Sequence, residues 1–216
     1  FVFLDHIQNN PRSALWVKRV KIVVNKNEYW LTIPLKNQSE ITVVSISQMI
    51  IDKPEVIKNK HLKTIELSYK KTPFFKDIFP LILDFYNDTE LSISLRNIRF
   101  IDRICDKLQI HLDFVKSSDM HCIHDSTDLL IEIINKLNGT SYLCGNGAGG
   151  YQEDSKFEKA DIKLQYQNFQ HPVYNQFNTE GFIPGLSIID PLMNIGYDGV
   201  KELLYINDNK RNRKTV

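Results

Sequence analysis

The chain has 216 residues, 42% of them hydrophobic and 25% charged, with 27 basic against 26 acidic side chains and a formal net charge of +1. That length fits a single domain with a sizeable core, and the balanced charge excludes a molecule-wide field for nucleic acid or an anionic membrane. Three cysteines without Cys-x-x-Cys spacing point to free thiols in a reducing cytoplasm rather than a disulfide framework, and no apolar run reaches the roughly 18 residues of a membrane helix.

Residues 1–4 are apolar and run into the polar stretch 6–13, the pattern of a buried strand. Because the chain begins inside such a run, residues upstream are expected to be missing from the first unit. Residues 16–24 and 29–35 are rich in β-branched and aromatic side chains and flank Asn25-Lys26-Asn27, which predicts an antiparallel hairpin, with 41–45 a candidate edge. From Lys53 the period becomes helical. Val56, Ile57, Leu62, Ile65 and residues 67–69 share a face, Pro73 interrupts it, and 78–86 resume it. Asp88 and Thr89 look like the N-cap region of a third helix whose inner face carries Leu95, Ile98, Ile101, Ile104, Cys105 and Leu108. Residues 110–115 favour strand. Ser126 is expected to cap a helix that turns Leu129, Leu130, Ile133, Ile134 and Leu137 inward and ends at Asn138-Gly139. A strand at 140–144, a glycine run, a polar helix at 152–159 and a strand at 163–168 follow. The alternation predicts a single α/β domain over 1–216, with a mainly parallel sheet flanked by helices and a small β-hairpin lobe near the N-terminus.

Four segments carry polar groups capable of chemistry. Gly145-Asn-Gly147-Ala-Gly-Gly150 follows a strand and precedes a helix, where free backbone N–H groups can meet a phosphate; a structural turn is the competing reading, and no acidic residue closes a strand about 20 residues on, as a dinucleotide site would require. His121-Cys-Ile-His124-Asp125 is metal-capable by type, but its commoner role is solvation before a helix. His171, Tyr174 and Gln176 precede Ser187, Asp190 and Asn194: a histidine exchanges protons near neutrality, a tyrosine and a glutamine can hold an oxyanion, and an aspartate can orient an imidazole. The alternative has Tyr174 packing, Ser187 capping a helix that buries Ile188, Ile189, Leu192 and Met193, and Asp190 in its first turn. Asp5, His6 and Gln8 stand past the first strand, where open α/β sheets bind ligands. The basic residues of 210–214 read as a solvated end. No Gly-x-Ser-x-Gly, Walker or His-Glu-x-x-His sequence occurs.

The segments Phe1-Val-Phe-Leu-Asp-His-Ile-Gln8, Leu31-Thr-Ile-Pro34, Ser117-Ser118, Ser126-Thr-Asp128, Tyr142-Leu-Cys-Gly145 with Tyr151, His171-Pro-Val-Tyr-Asn-Gln176 and Leu186 to Gly196 together resemble the WbqC-like family of bacterial proteins, often encoded with surface-polysaccharide genes. The chain departs from the family pattern in lacking a Gln-Pro-rich opening and in carrying Pro191 where leucine is usual, which would shift the start of the last helix. The resemblance implies a cytoplasmic transferase of O-antigen or capsule biosynthesis, one that moves an acyl or aminoacyl group, such as glycyl, from a carrier thioester to the amine of a nucleotide-linked amino sugar. In that role His6 or His171 takes the amine proton, and Tyr174, Gln176 and the glycine loop hold the oxyanion or the diphosphate. Asp5, Gln8, Ser118, Gly145, Gly147, Tyr151, Ser187, Asp190 and Asn194 are then the candidate substrate contacts. The expected partners are the nucleotide sugar and an acyl or aminoacyl carrier protein, with no cofactor, metal or nucleic acid. The alternatives are a non-catalytic nucleotide-sugar-binding or assembly protein and a glycosyltransferase; the Asp-x-Asp pair of the metal-dependent glycosyltransferases is absent.

Overall fold

The computed structural model describes residues 1–8, 15–36, 44–145 and 152–212, with side chains described as far as residue 205. In chain order the elements are β1 (Val2–Phe3), β2 (Arg19–Val24), β3 (Asn27–Thr32), α1 (Pro54–Tyr69), α2 (Phe75–Asn87), α3 (Ile93–Lys107), β4 (Val115–Lys116), α4 (Ser126–Lys136), β5 (Ser141–Cys144), α5 (Asp154–Lys159), β6 (Lys163–Tyr166) and α6 (Ile189–Asn212). The fold is mixed α/β, with small sheets: β1–β4 and β5–β6 are parallel pairs and β2–β3 is an antiparallel hairpin. No helix among the described residues is long and apolar enough to cross a membrane.

The chain divides into two compact units. The first comprises Phe1–His6 and Asp113–Gln170. Its strand pairs carry crossover segments, as parallel neighbours require, and α4 and α5 cover β5–β6 by burying Ile134, Phe157 and Ile162. The ring of Tyr142 stacks on that of Phe157, with centroids 5.4 Å apart. β1 is less buried than its composition predicts, because Phe1 is 66% exposed and meets Phe3 and Phe114 edge-on at the surface instead of entering a core. Asp125, not Ser126, stands at the N-cap of α4; Ser126 is already the first helical residue and has a φ of 51°.

The second unit comprises Ile7–Leu112 and His171–Val216. Its hairpin turns on Asn25 and Lys26, whose φ values of 50° and 67° are those of a type I′ turn, the form that matches strand twist. The core joins Ile22 and Leu31 of the hairpin to Ile65 and Tyr69 of α1, Ile78 of α2, Ile104 of α3, and Leu192 and Met193 of α6. α1 begins at Pro54, which wastes no donor at a first helical position. α3 is capped by Ser92, whose Oγ accepts from Leu95 N at 3.4 Å. The expected cap at Asp88 is displaced because that carboxylate turns back on its own chain, accepting from Glu90 N at 2.9 Å and pairing with Arg99. α6 starts at Ile189, so Pro191 falls in the first turn, where a missing N–H costs nothing. Ile188, expected in the core, lies outside that helix and is 37% exposed.

His61 of α1 is buried, and its Nδ1 lies 2.7 Å from the Tyr86 hydroxyl. Burial, with Lys60 adding to it, holds the imidazole down at about 4 from an ordinary 6.5. Between those values the unfolded chain takes up a proton that the folded one refuses, so stability falls as pH drops from about 6.5 to about 4. The expected loss from this group is on the order of 3 kcal/mol. Urea midpoints at pH 7, 5.5 and 4.5 for the wild type and His61→Phe check it: the variant should lose this part of the slope.

Candidate functional site

In the first unit the parallel register Val2↔Val115 and Phe3↔Lys116 carries the chain ends past the pair side by side. Asp5 and His6 therefore emerge beside Ser117 and Ser118, although 112 residues separate Asp5 from Ser117. Ser117–Asp119 close a 3₁₀ turn, which frees the Ser118 amide to point at Asp5. Asp5 is buried and accepts from Ser118 N at 2.9 Å, Ser118 Oγ at 2.8 Å and Ser117 Oγ at 3.2 Å. Ser117, also buried, lies with its Oγ 2.5 Å from Nδ1 of half-buried His6.

A hydroxyl has one hydrogen. If Ser117 spends it on Asp5, its lone pair accepts from His6 Nδ1–H, and the free lone pair of the imidazole is on Nε2. The chain Asp5–Ser117–His6 is then a carboxylate–hydroxyl–imidazole series that leaves Nε2 as the ring nitrogen with a free lone pair. Asp5, His6 and Ser118 are brought together as site candidates. Ser117 was noticed only as half of a Ser-Ser pair, since nothing in local spacing distinguishes the serine that links from the one beside it.

Gly145 follows β5, and a Cβ there would meet nothing within 4 Å. Gly147 and Tyr151 lie outside the described residues. Gln8 falls in the second unit, where it forms a bridge with Ser45. His124 pairs with Glu132 at 2.9 Å.

In the second unit Tyr174, Gln176, Asp190 and Asn194 do converge. The Asp190 carboxylate, buried at the start of α6, accepts from Tyr174 and Tyr69 hydroxyls at 2.7 Å each and from Asn194 Nδ2 at 3.2 Å. Burial pushes the Asp190 carboxyl up, against these three donors, which pull it down. Burial and then the Asp190 charge drive both tyrosine hydroxyls upward. Tyr69 also accepts from Val23 N at 2.9 Å, which ties the hairpin to the same centre. Gln176 donates to Ile183 O and Tyr174 Oη and accepts from Ile183 N, while Asn194 Oδ1 accepts from Phe177 N at 2.8 Å. Ser187 donates its N–H to Lys21 O, and its carbonyl accepts from Asp190 N. These groups satisfy one another and fasten the 171–187 loop to α6 and β2. His171 is exposed on that loop, next to Gly185. Tyr69, the second tyrosine on Asp190, is the member that sequence reading missed; it looks like one more apolar-face residue of α1.

The model of the WbqC-like protein family matches residues 1–202. The chain is also similar to a protein of Mycobacterium tuberculosis described as uncharacterized protein Rv1507c, with 25% identity across 95% of this chain and 87% of that one. No solved structure matches.

Proposed function

The chain belongs to the WbqC-like protein family, and from that membership together with the Asp5–Ser117–His6 series we propose that it transfers an acyl or aminoacyl group to the amine of a nucleotide-linked amino sugar in surface-polysaccharide biosynthesis. The observation that carries the reading is a half-buried imidazole backed, through one hydroxyl, by a buried carboxylate. His6 Nε2 takes a proton from the acceptor amine as its nitrogen attacks the thioester carbonyl. The C–N bond forms, the tetrahedral intermediate collapses with cleavage of C–S, and the proton passes from His6 to the departing thiolate. Asp5 and Ser117 hold the ring in place in between, while Ser118 holds Asp5. Tyr174, Gln176, Asp190 and Asn194 fasten the loop that carries His171 within the second unit.

The test is acyl transfer from an acyl- or aminoacyl-loaded carrier to a panel of nucleotide-linked amino sugars, followed by mass spectrometry. His6→Ala should lower turnover by about 10²–10⁴-fold, the usual span for a general base. Ser117→Ala, which removes the hydroxyl that orients the ring, should lower it less. Absence of transfer with every pair, or full turnover in His6→Ala, overturns the assignment. The closed Asp190 network favours a second reading, a nucleotide-sugar-binding protein without turnover; ligand binding with no product would select it.

A further inference from the structure

One face of the β2–β3 hairpin collects charge and an aromatic plane. Arg19, Lys21 and Trp30 share it, since Lys21 pairs directly with Trp30 and Arg19 lies two residues along. The Arg19 guanidinium carbon stacks 4.1 Å from the Trp30 ring centroid and Lys21 Nζ lies 5.6 Å from it, yet Trp30 remains 42% exposed. Arg19 Nε is buried and has no hydrogen-bond partner among the described residues, an uncommon state for a cationic donor. Lys21 is steered by Glu28 at 2.8 Å. Gly185 arches over the same place: a Cβ on it would lie 3.8 Å from His171 Nε2 and 3.9 Å from Lys21 Nζ, and its φ of 71° is one that glycine takes without strain.

We propose that this hairpin face of the second unit, formed by Arg19, Lys21, Trp30, Gly185 and His171, binds a nucleoside diphosphate. The inference rests on the acceptor being nucleotide-linked. The base stacks on the open part of Trp30, a contact every nucleobase can make. The diphosphate lies toward Arg19, Lys21 and His171, with Arg19 supplying a planar donor array that matches phosphate oxygens. Gly185 keeps the approach to Lys21 and His171 clear by having no side chain. Trp30 stays 42% exposed and Arg19 Nε unbonded although they stack across the strands, and the hairpin's core contacts come from Ile22, Val23 and Leu31 instead.

The chain has two tryptophans, Trp16 and Trp30, so fluorescence can read this site. UDP, GDP, ADP and inorganic pyrophosphate are titrated into the wild type, Trp16→Phe, Trp30→Phe and Arg19→Gln, with calorimetry where the fluorophore is removed and a thermal melt to check folding. At least one nucleoside diphosphate should quench saturably in the wild type and in Trp16→Phe. Arg19→Gln and Trp30→Phe should each bind about tenfold more weakly. Binding of no nucleoside diphosphate, or equal binding in both hairpin variants, overturns the site. Pyrophosphate binding as tightly as the nucleotides also overturns it, because Trp30 would then contribute no base contact. The two readings separate cleanly: nucleotide binding here without acyl transfer defeats the transferase assignment and leaves the site standing, whereas transfer with unaltered nucleotide affinity in Arg19→Gln and Trp30→Phe does the reverse.

Discussion

Replacing Asp190 by alanine is expected to lower the unfolding free energy by about 3–5 kcal/mol, because it strands buried donors that have no other charge to meet. The Tyr69 and Tyr174 hydroxyls both point at this carboxylate from 2.7 Å, and Tyr69 comes from α1, 121 residues away. The loss therefore reaches three places at once: the inner end of α1, the start of α6 and the 171–187 loop. Guanidinium denaturation checks the magnitude, with the midpoint falling and the slope unchanged if both states keep their compactness. Asp190→Asn should be milder, because it keeps one acceptor oxygen and the shape of the cavity. Its pH behaviour also differs. Burial raises the Asp190 carboxyl, so the folded state takes up a proton more readily than the unfolded one as pH falls toward the ordinary carboxylate range. That uptake stabilises the fold on acidification and partly offsets the loss from His61, so Asp190→Asn should lose stability more steeply than the wild type on acidification.

Gly196→Ala is expected to cost roughly 4 kcal/mol, combining backbone strain with overpacking. Gly196 breaks α6 with φ 71° and ψ −177°, a conformation open almost solely to glycine. Space is also lacking: an added Cβ would sit 2.7 Å from Cε1 and 2.8 Å from Cδ1 of Phe74. Phe74 cannot easily retreat, since its own backbone N–H is bonded to Met193 O at 3.1 Å. The break at Gly196 and the seat of the α1–α2 connection are one piece of packing. Thermal or chemical denaturation of the variant, with circular dichroism to confirm that α6 still forms, measures the effect; a midpoint within error of the wild type would show that the kink can rotate away from Phe74.

Both positions lie in the Leu186–Gly196 segment that carried the family resemblance, and the packing there gives its polar residues a structural role. Asp190 and Asn194 are polar residues of the kind that hold ligands. Here they hold Tyr69, Tyr174 and Phe177 N, and through them a loop. Sequence reading places such residues on a helix and in its first turn but leaves their partners open, since an acid at a helix start is equally consistent with a dipole contact, a substrate contact and a buried bridge.

What the sequence by itself determined is local. The Asn25-Lys26 turn and the strand–helix–strand order from 141 to 166 are written in side-chain period and turn chemistry, which act over a few residues, whereas the stripes of α1 and α3 are legible in part: Ile65, Tyr69, Ile104 and Leu108 are buried, but Val56, Leu67 and Ile101 are 62%, 60% and 40% exposed. Where it erred, a neighbouring group won a local competition: Asp88 bonded Glu90 N and left the cap to Ser92, and Phe1 stayed outside because so short a parallel pair has little core to enter. What only the tertiary structure decided is which distant residues meet. The parallel pairing of β1 with β4 brings Asp5 and His6 to Ser117 and Ser118, and the packing of α1 against α6 brings Tyr69 to Asp190. Contacts across more than 100 residues leave no periodic trace in the chain, because each partner satisfies its own local pattern whether or not the other arrives. The 171–187 loop and the start of α6 therefore form a clamp within the second unit, while Asp5, His6, Ser117 and Ser118 are brought together in the first.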